Sequence, residues 1–103
     1  MTDLTYIIDC GQQNPFWRGR KIRRPADDAD QIDIELIDAE NNLVLTVRAT
    51  KQVFNVDVIG YRGLANGRNF GFFFDSSRTR MVGIVTASSP RALQGVYGAH
   101  RLR

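Results

Sequence analysis

Hydrophobic and polar residues alternate with a period of two through most of this chain, which is the mark of strands that bury one face. Leu4, Tyr6 and Ile8 alternate with Thr5 and Ile7 and predict a first strand. Gly11, Asn14, Pro15 and Gly19 predict a loop or a short broken helix over 11–19. Pro25 ends whatever Lys21–Arg24 form, because the residue before a proline avoids helical geometry. The clearest signal lies in residues 31–61. Ile32, Ile34 and Leu36 alternate with Asp33 and Glu35, Ala39–Asn42 supplies a turn, and Leu43, Leu45 and Val47 alternate with Val44, Thr46 and Arg48. This is a hairpin with one wet and one dry face. Another strand is predicted where Phe54, Val56 and Val58 oppose Asn55, Asp57 and Ile59, closed by Gly60-Tyr61. Gly63, Asn66 and Gly67 mark Arg62–Asn69 as a turn, Phe70–Phe74 as the next strand, Asp75–Ser77 as a turn and Met81–Thr86 as a last strand. Ser88-Ser89-Pro90 suits a helix start, and the tail Arg91–Arg103 is short, glycine-interrupted and basic. The expected fold is α+β and mainly β: an antiparallel meander of five or six strands with short helical pieces at its ends.

Length and composition narrow the class. With 103 residues, 43% hydrophobic and 24% charged, the chain suits one domain, 1–103, with a modest core. Such a domain hides roughly 60–70% of its unfolded surface. No apolar run reaches the ~18–20 residues of a spanning helix. Met1–Tyr6 carries an acid and no base, so it does not read as a secretory signal, and a cytoplasmic setting is expected. Met1 suits a true start, and Arg103 an end or a processing site. The single Cys10 cannot form an internal disulfide, and Cys10 with the single His100 cannot make a zinc site. No metal or cofactor is implied.

Charge is distributed in blocks. Residues 18–24 carry five positive charges, residues 27–40 seven negative ones, and the chain nets +3. Twelve of the fourteen basic residues are arginines, whose planar guanidinium suits phosphate. A polyanion site at Arg18, Arg20, Lys21, Arg23 and Arg24 therefore competes with mutual neutralisation of the two blocks on the folded surface.

No nucleotide-binding glycine motif is present. Asp33 and Glu35 are paired carboxylates, but their alternation fits a solvated strand face better than acid–base chemistry. Cys10, at a strand end, suits a small buried hydrophobe. His100 stands near Arg101 and Arg103, which disfavour its charged form, so a surface or phosphate-facing role outweighs catalysis. Phe16 and Trp17 beside Arg18 and Arg20 would either stack a base or, the favoured reading, cap one end of the sheet. Phe70, Phe72, Phe73 and Phe74 are read as core.

Gln31–Thr50, running into Asn55–Arg62 and then Phe70–Asp75, resembles the N-terminal sheet of ribosome-inactivating proteins, the ricin-like and Shiga-like rRNA N-glycosylases. The most specific part is Val58-Ile59-Gly60-Tyr61-Arg62, and a weaker echo runs through Ser89–Leu102. The resemblance implies a fold that removes an adenine from ribosomal RNA. Two tyrosines of that family stack the base, and a Glu and an Arg one helical turn apart stabilise the transition state. This chain departs from the pattern. The first stacking position, three residues before the glycine, is Asp57; the second falls near His100 or Tyr97; and no Glu-x-x-Arg occurs. Trp17 precedes the sheet and does not match the family's later tryptophan.

The resemblance therefore implies a fragment or degenerate relative that is inactive by itself. It would bind RNA or the ribosome through Arg18, Arg20, Lys21, Arg23, Arg24, Arg62 and Arg68, or would await a complementary chain. A sheet without the family's packing helices predicts an exposed apolar face covered by a second chain or another copy. The alternative is a small protein-interaction module, or a self-associating sheet protein, with no RNA role. Its acidic and basic blocks would then form a charge-complementary interface. A self-sufficient enzyme is the least favoured class.

Overall fold

The computed structural model describes residues 4–10, 17–53 and 57–87. These form one antiparallel sheet whose strands lie side by side in chain order, curled into a half-barrel. The strands are β1 (Thr5–Asp9), β2 (Lys21–Pro25), β3 (Gln31–Ile37), β4 (Leu43–Val53), β5 (Val58–Ala65), β6 (Arg68–Asp75) and β7 (Met81–Ala87).

The period-two pattern sets the two faces. Ile8, Ile22, Ile32, Ile34, Leu36, Val47, Ala49, Tyr61, Phe70, Phe72 and Phe74 point into one buried cluster. Trp17, from the turn before β2, covers part of that face. It meets Phe70 and Phe72 edge-on at centroid distances of 5.8 and 6.2 Å, a favoured aromatic geometry. The tryptophan thus packs on the sheet, as the capping reading expects; Phe16 lies outside the described residues. Phe73 alternates to the opposite face and is also fully buried.

The architecture corrects the expectation in several places. There are seven strands, not five or six, and no helix among the described residues. The uncounted strand is β2. Its core-facing positions are Ile22 and Arg24, so its alternation is masked by a cation on the dry side. The strand expected over 54–59 begins at Val58 and continues to Ala65; Phe54–Val56 lie outside the described residues. The turn expected over 62–69 shrinks to Asn66-Gly67. Both take positive φ, 50° and 72°, the pattern of a two-residue type I′ hairpin whose twist matches its strands. Gly63 is not a turn residue. It sits opposite Ala49 in mid-strand, where an added Cβ would lie 2.4 Å from the Arg48 carbonyl oxygen. The helical pieces expected within 11–19 and after Ser88 fall on a turn at 17–19 or outside the described residues. On the inner face Tyr61, Phe70, Phe72 and Phe74 are at most 1% exposed, while Leu4, Ile7, Leu43, Val44, Leu64 and Val82 are exposed elsewhere on the sheet. No helix among the described residues is long and apolar enough to cross a membrane.

Candidate functional site

The least expected residue in the core is Arg24, whose side chain is fully buried. Strand alternation puts it on the dry face, between Tyr6 of β1 and the inner face of β5–β6. Its guanidinium carbon lies 4.5 Å from the Phe74 ring centroid and 5.2 Å from that of Tyr61, cation–π contacts that offset part of the cost of burying a charge. Nε donates to the Pro25 carbonyl at 2.9 Å and Nη2 to the Asp27 carbonyl at 2.9 Å, while Asp28 Oδ1 stands 3.8 Å away. Nη1 has no hydrogen-bond partner. Burial lowers the Arg24 pKa from its usual value, and the neighbouring Tyr61 and Asp28 oppose that shift.

Asp28 gathers the rest of this knot. Lys51 Nζ donates to its carbonyl at 3.2 Å and to Oδ2 at 3.4 Å. The Tyr61 hydroxyl lies 3.0 Å from Asp28 Oδ1 and 2.8 Å from the Ala29 carbonyl oxygen; its one proton serves either acceptor. Burial first, and then Asp28, push the Tyr61 pKa up to about 12. Every one of these contacts ends on the loop 26–30 between β2 and β3. The loop is fixed from its inner side by Arg24, Lys51 and Tyr61.

On the other side of that loop lies a cleft of about 600 Å³, within the size range of ligand sites. Leu4, Pro25, Ala26, Ala29 and Ile32 give it an apolar floor; Asp27, Asp33 and Arg48 supply charge. The backbone explains why the cleft exists. Ala26 N donates to the Leu4 carbonyl and Cys10 N to the Arg20 carbonyl, so residues 20, 22, 24 and 26 direct their peptide groups at β1. Lys21, Arg23 and Pro25 therefore face β3. Likewise Lys51 N donates to the Asp30 carbonyl at 2.7 Å, so Gln31 and Asp33 turn their peptide groups toward β2. The next rung after Arg23–Glu35 would join Pro25 to Asp33, and proline has no N–H. Pairing stops at Arg23–Glu35, the strands splay, and the Gln31 and Asp33 peptide groups are left at the cleft without a strand partner. Arg48 grips Asp33 through Nε–Oδ1 at 2.6 Å and Nη2–Oδ2 at 3.3 Å. Asp27 then leaves the cleft with one carboxylate in excess.

The basic residues expected to bind RNA are dispersed. Arg24 is in the core and cannot reach an external phosphate. Arg23 is held by Glu35 at 2.5 Å on the outer face. Arg18 and Arg20 stand between β1 and β2, and Lys21 opens β2. Arg62 is on the outer face of β5 and Arg68 opens β6. Asp33 and Glu35 are ion-paired outer-face residues, as their alternation suggests. Asp57 is exposed before β5; His100 and Tyr97 lie outside the described residues. Cys10 is half-buried, and burial, reinforced by Asp9, pushes its thiol up to about 12, which suits packing and not nucleophilic attack. Sequence reasoning missed both the Arg24–Asp28–Lys51–Tyr61 knot and the cleft. The signal available for the cleft was Pro25 at the end of a strand that went uncounted. No protein family, characterised protein or solved structure matches this chain.

Proposed function

We propose that this protein is a binding module, without catalytic chemistry of its own, that takes an extended segment of a partner protein into the cleft between β2 and β3. The observation that carries this reading is the splayed, loop-anchored end of the β2–β3 pair. It offers an apolar floor, unpaired peptide groups at Gln31 and Asp33, and an excess carboxylate at Asp27. Rigid concave sites with a few convergent polar groups favour binding because little is spent on ordering them. The chemistry suits a segment with an apolar side chain beside a cation. The test is a titration of the 15N-labelled chain with two capped peptides, acetyl-Arg-Leu-Arg-amide and acetyl-Glu-Leu-Glu-amide. Shifts centred on Leu4, Ala26–Asp33 and Arg48 for the basic peptide alone support the proposal. No shifts there, or equal shifts with both peptides, refute it.

A second reading keeps the chain as a non-catalytic relative of the ribosome-inactivating proteins that touches RNA. What supports it is that the described residues of 31–75, the stretch that carries the resemblance, form four consecutive antiparallel strands, β3 to β6. Binding of a ribosomal RNA stem-loop that weakens steeply with salt, and release of free adenine from intact ribosomes only in the presence of a second chain, are its expected results.

A further inference from the structure

Among the described residues β1 is an edge strand, with no neighbour on its outer side. Its neighbour β2 takes the peptide groups of Leu4, Tyr6, Ile8 and Cys10, as the Ala26–Leu4 and Cys10–Arg20 bonds fix. Thr5, Ile7 and Asp9 therefore direct theirs away from the sheet, and no strand among the described residues pairs with them. Natural edges are protected by proline, lysine, bulges or inward charges. β1 has no proline, lysine or bulge: it reads Thr-Tyr-Ile-Ile-Asp with its one charge at the end, pairs with β2 without a register shift, and leaves Leu4 and Ile7 exposed at 70% and 50%.

We propose that β1 pairs antiparallel with β1 of a second copy of this chain about a two-fold axis through Ile7. The register argues for itself on three counts. First, an axis at Ile7 makes Thr5 opposite the partner's Asp9, and Ile7 opposite the partner's Ile7, the hydrogen-bonded pairs. These are the residues whose peptide groups are open. Second, the dry face becomes continuous. Tyr6 falls opposite the partner's Ile8, and Leu4 opposite the partner's Cys10; Ile8, Tyr6 and Cys10 already belong to the core or pack on it. Third, charge permits it. The strand's only ionisable group besides the Tyr6 phenol is Asp9, which meets a threonine. An axis at Asp9 would oppose two carboxylates, which destabilises a cross-strand pair. The result is an isologous, closed dimer with a sheet of twice the strands. This differs from covering a bare sheet face, since that face is already buried. The pairing shares Leu4 and Thr5 with the rim of the cleft, but its axis residue Ile7 does not line the cleft, so the test at Ile7 distinguishes the two.

The test is sedimentation of the wild-type chain over a concentration series, with Ile7→Lys and Ile7→Glu examined singly and mixed. Ile7 points to the outer face, so both substitutions leave the core intact. The wild type is expected to reach twice 11.6 kDa as concentration rises. Each variant alone is expected to stay monomeric, because like charges meet at the axis, and the equimolar mixture to dimerise again. A wild type that remains monomeric up to about 1 mM, the weakest association worth about 4 kcal/mol, overturns the proposal. So does a single variant that still dimerises. If both variants fail to fold, hydrogen exchange in the wild type decides. Protection of the Ile7 amide that rises with concentration supports the two-fold pairing, and protection that does not overturns it.

Discussion

Tyr61 shows how much one side chain can organise. Its ring stands edge-on to Phe74 at 6.2 Å, its face takes the Arg24 guanidinium, and its hydroxyl holds the loop 26–30. Its folded-state pKa, about 12, lies above the ordinary value of 10.0. A raised pKa means that the neutral phenol is favoured by folding. The corresponding stability is fully present below pH 10 and is lost as pH rises through about 12. Tyr61→Phe is therefore expected to be less stable at neutral pH and to show a shallower loss between pH 10 and 12, as measured by urea unfolding across that range. Gly63 makes the opposite kind of demand, for absence of a side chain. Gly63→Ala drives a Cβ against the Arg48 carbonyl and Val47 Cγ1, with a cost of about 1–3 kcal/mol in denaturant midpoints. A cost near zero would mean that β4 and β5 can separate without penalty.

At the level of elements, the chain's pattern was legible where side-chain polarity and facing agree. Ile32, Ile34 and Leu36 on β3 and Leu45 and Val47 on β4 alternate as their faces require, and the hairpin stands where the pattern puts it. The four phenylalanines of β6 are core, as expected. β2 was illegible because Arg24 occupies a dry-face position, and its burial is made tolerable by Phe74 and Tyr61, distant in sequence, together with Asp28 four residues on. Reading Gly63 as a turn failed for a related reason: a glycine needed for close strand approach looks like a glycine needed for a bend. The candidate site depends on the same long-range contacts, so neither the knot nor the cleft could be read from spacing. Arg24→Ala is expected to destabilise the chain by about 2–4 kcal/mol, since it removes packing and frees the 26–30 loop together. Its amides from Ala26 to Asp30 should lose hydrogen-exchange protection more than those of β6. Uniform loss would indicate a purely global effect.

For the whole molecule, the block pattern of charge resolves largely by internal pairing. Arg23 meets Glu35 and Arg48 meets Asp33 across neighbouring strands, with side chains about one-third to two-thirds exposed. Exposed pairs of this kind contribute only about 0–1 kcal/mol each, so they organise the surface more than they stabilise it. Within the basic block, Arg23 is engaged by Glu35 and Arg24 is buried beside Asp28. Binding of a ribosomal RNA stem-loop at 150 mM salt is therefore expected to be no tighter than binding of an unrelated RNA of equal length. Filter binding with both RNAs checks this, and a marked preference for the ribosomal sequence would restore the second reading.

The central claim is that the missing N–H of Pro25 ends the β2–β3 ladder and so creates the binding cleft. The most direct measurement is titration of Pro25→Ala with acetyl-Arg-Leu-Arg-amide, alongside hydrogen exchange at its new amide. The account predicts a folded variant whose amide at position 25 is protected by the Asp33 carbonyl and whose peptide-induced shifts at Ala26–Asp33 disappear. Unchanged peptide shifts in a variant whose amide at position 25 is protected would contradict it.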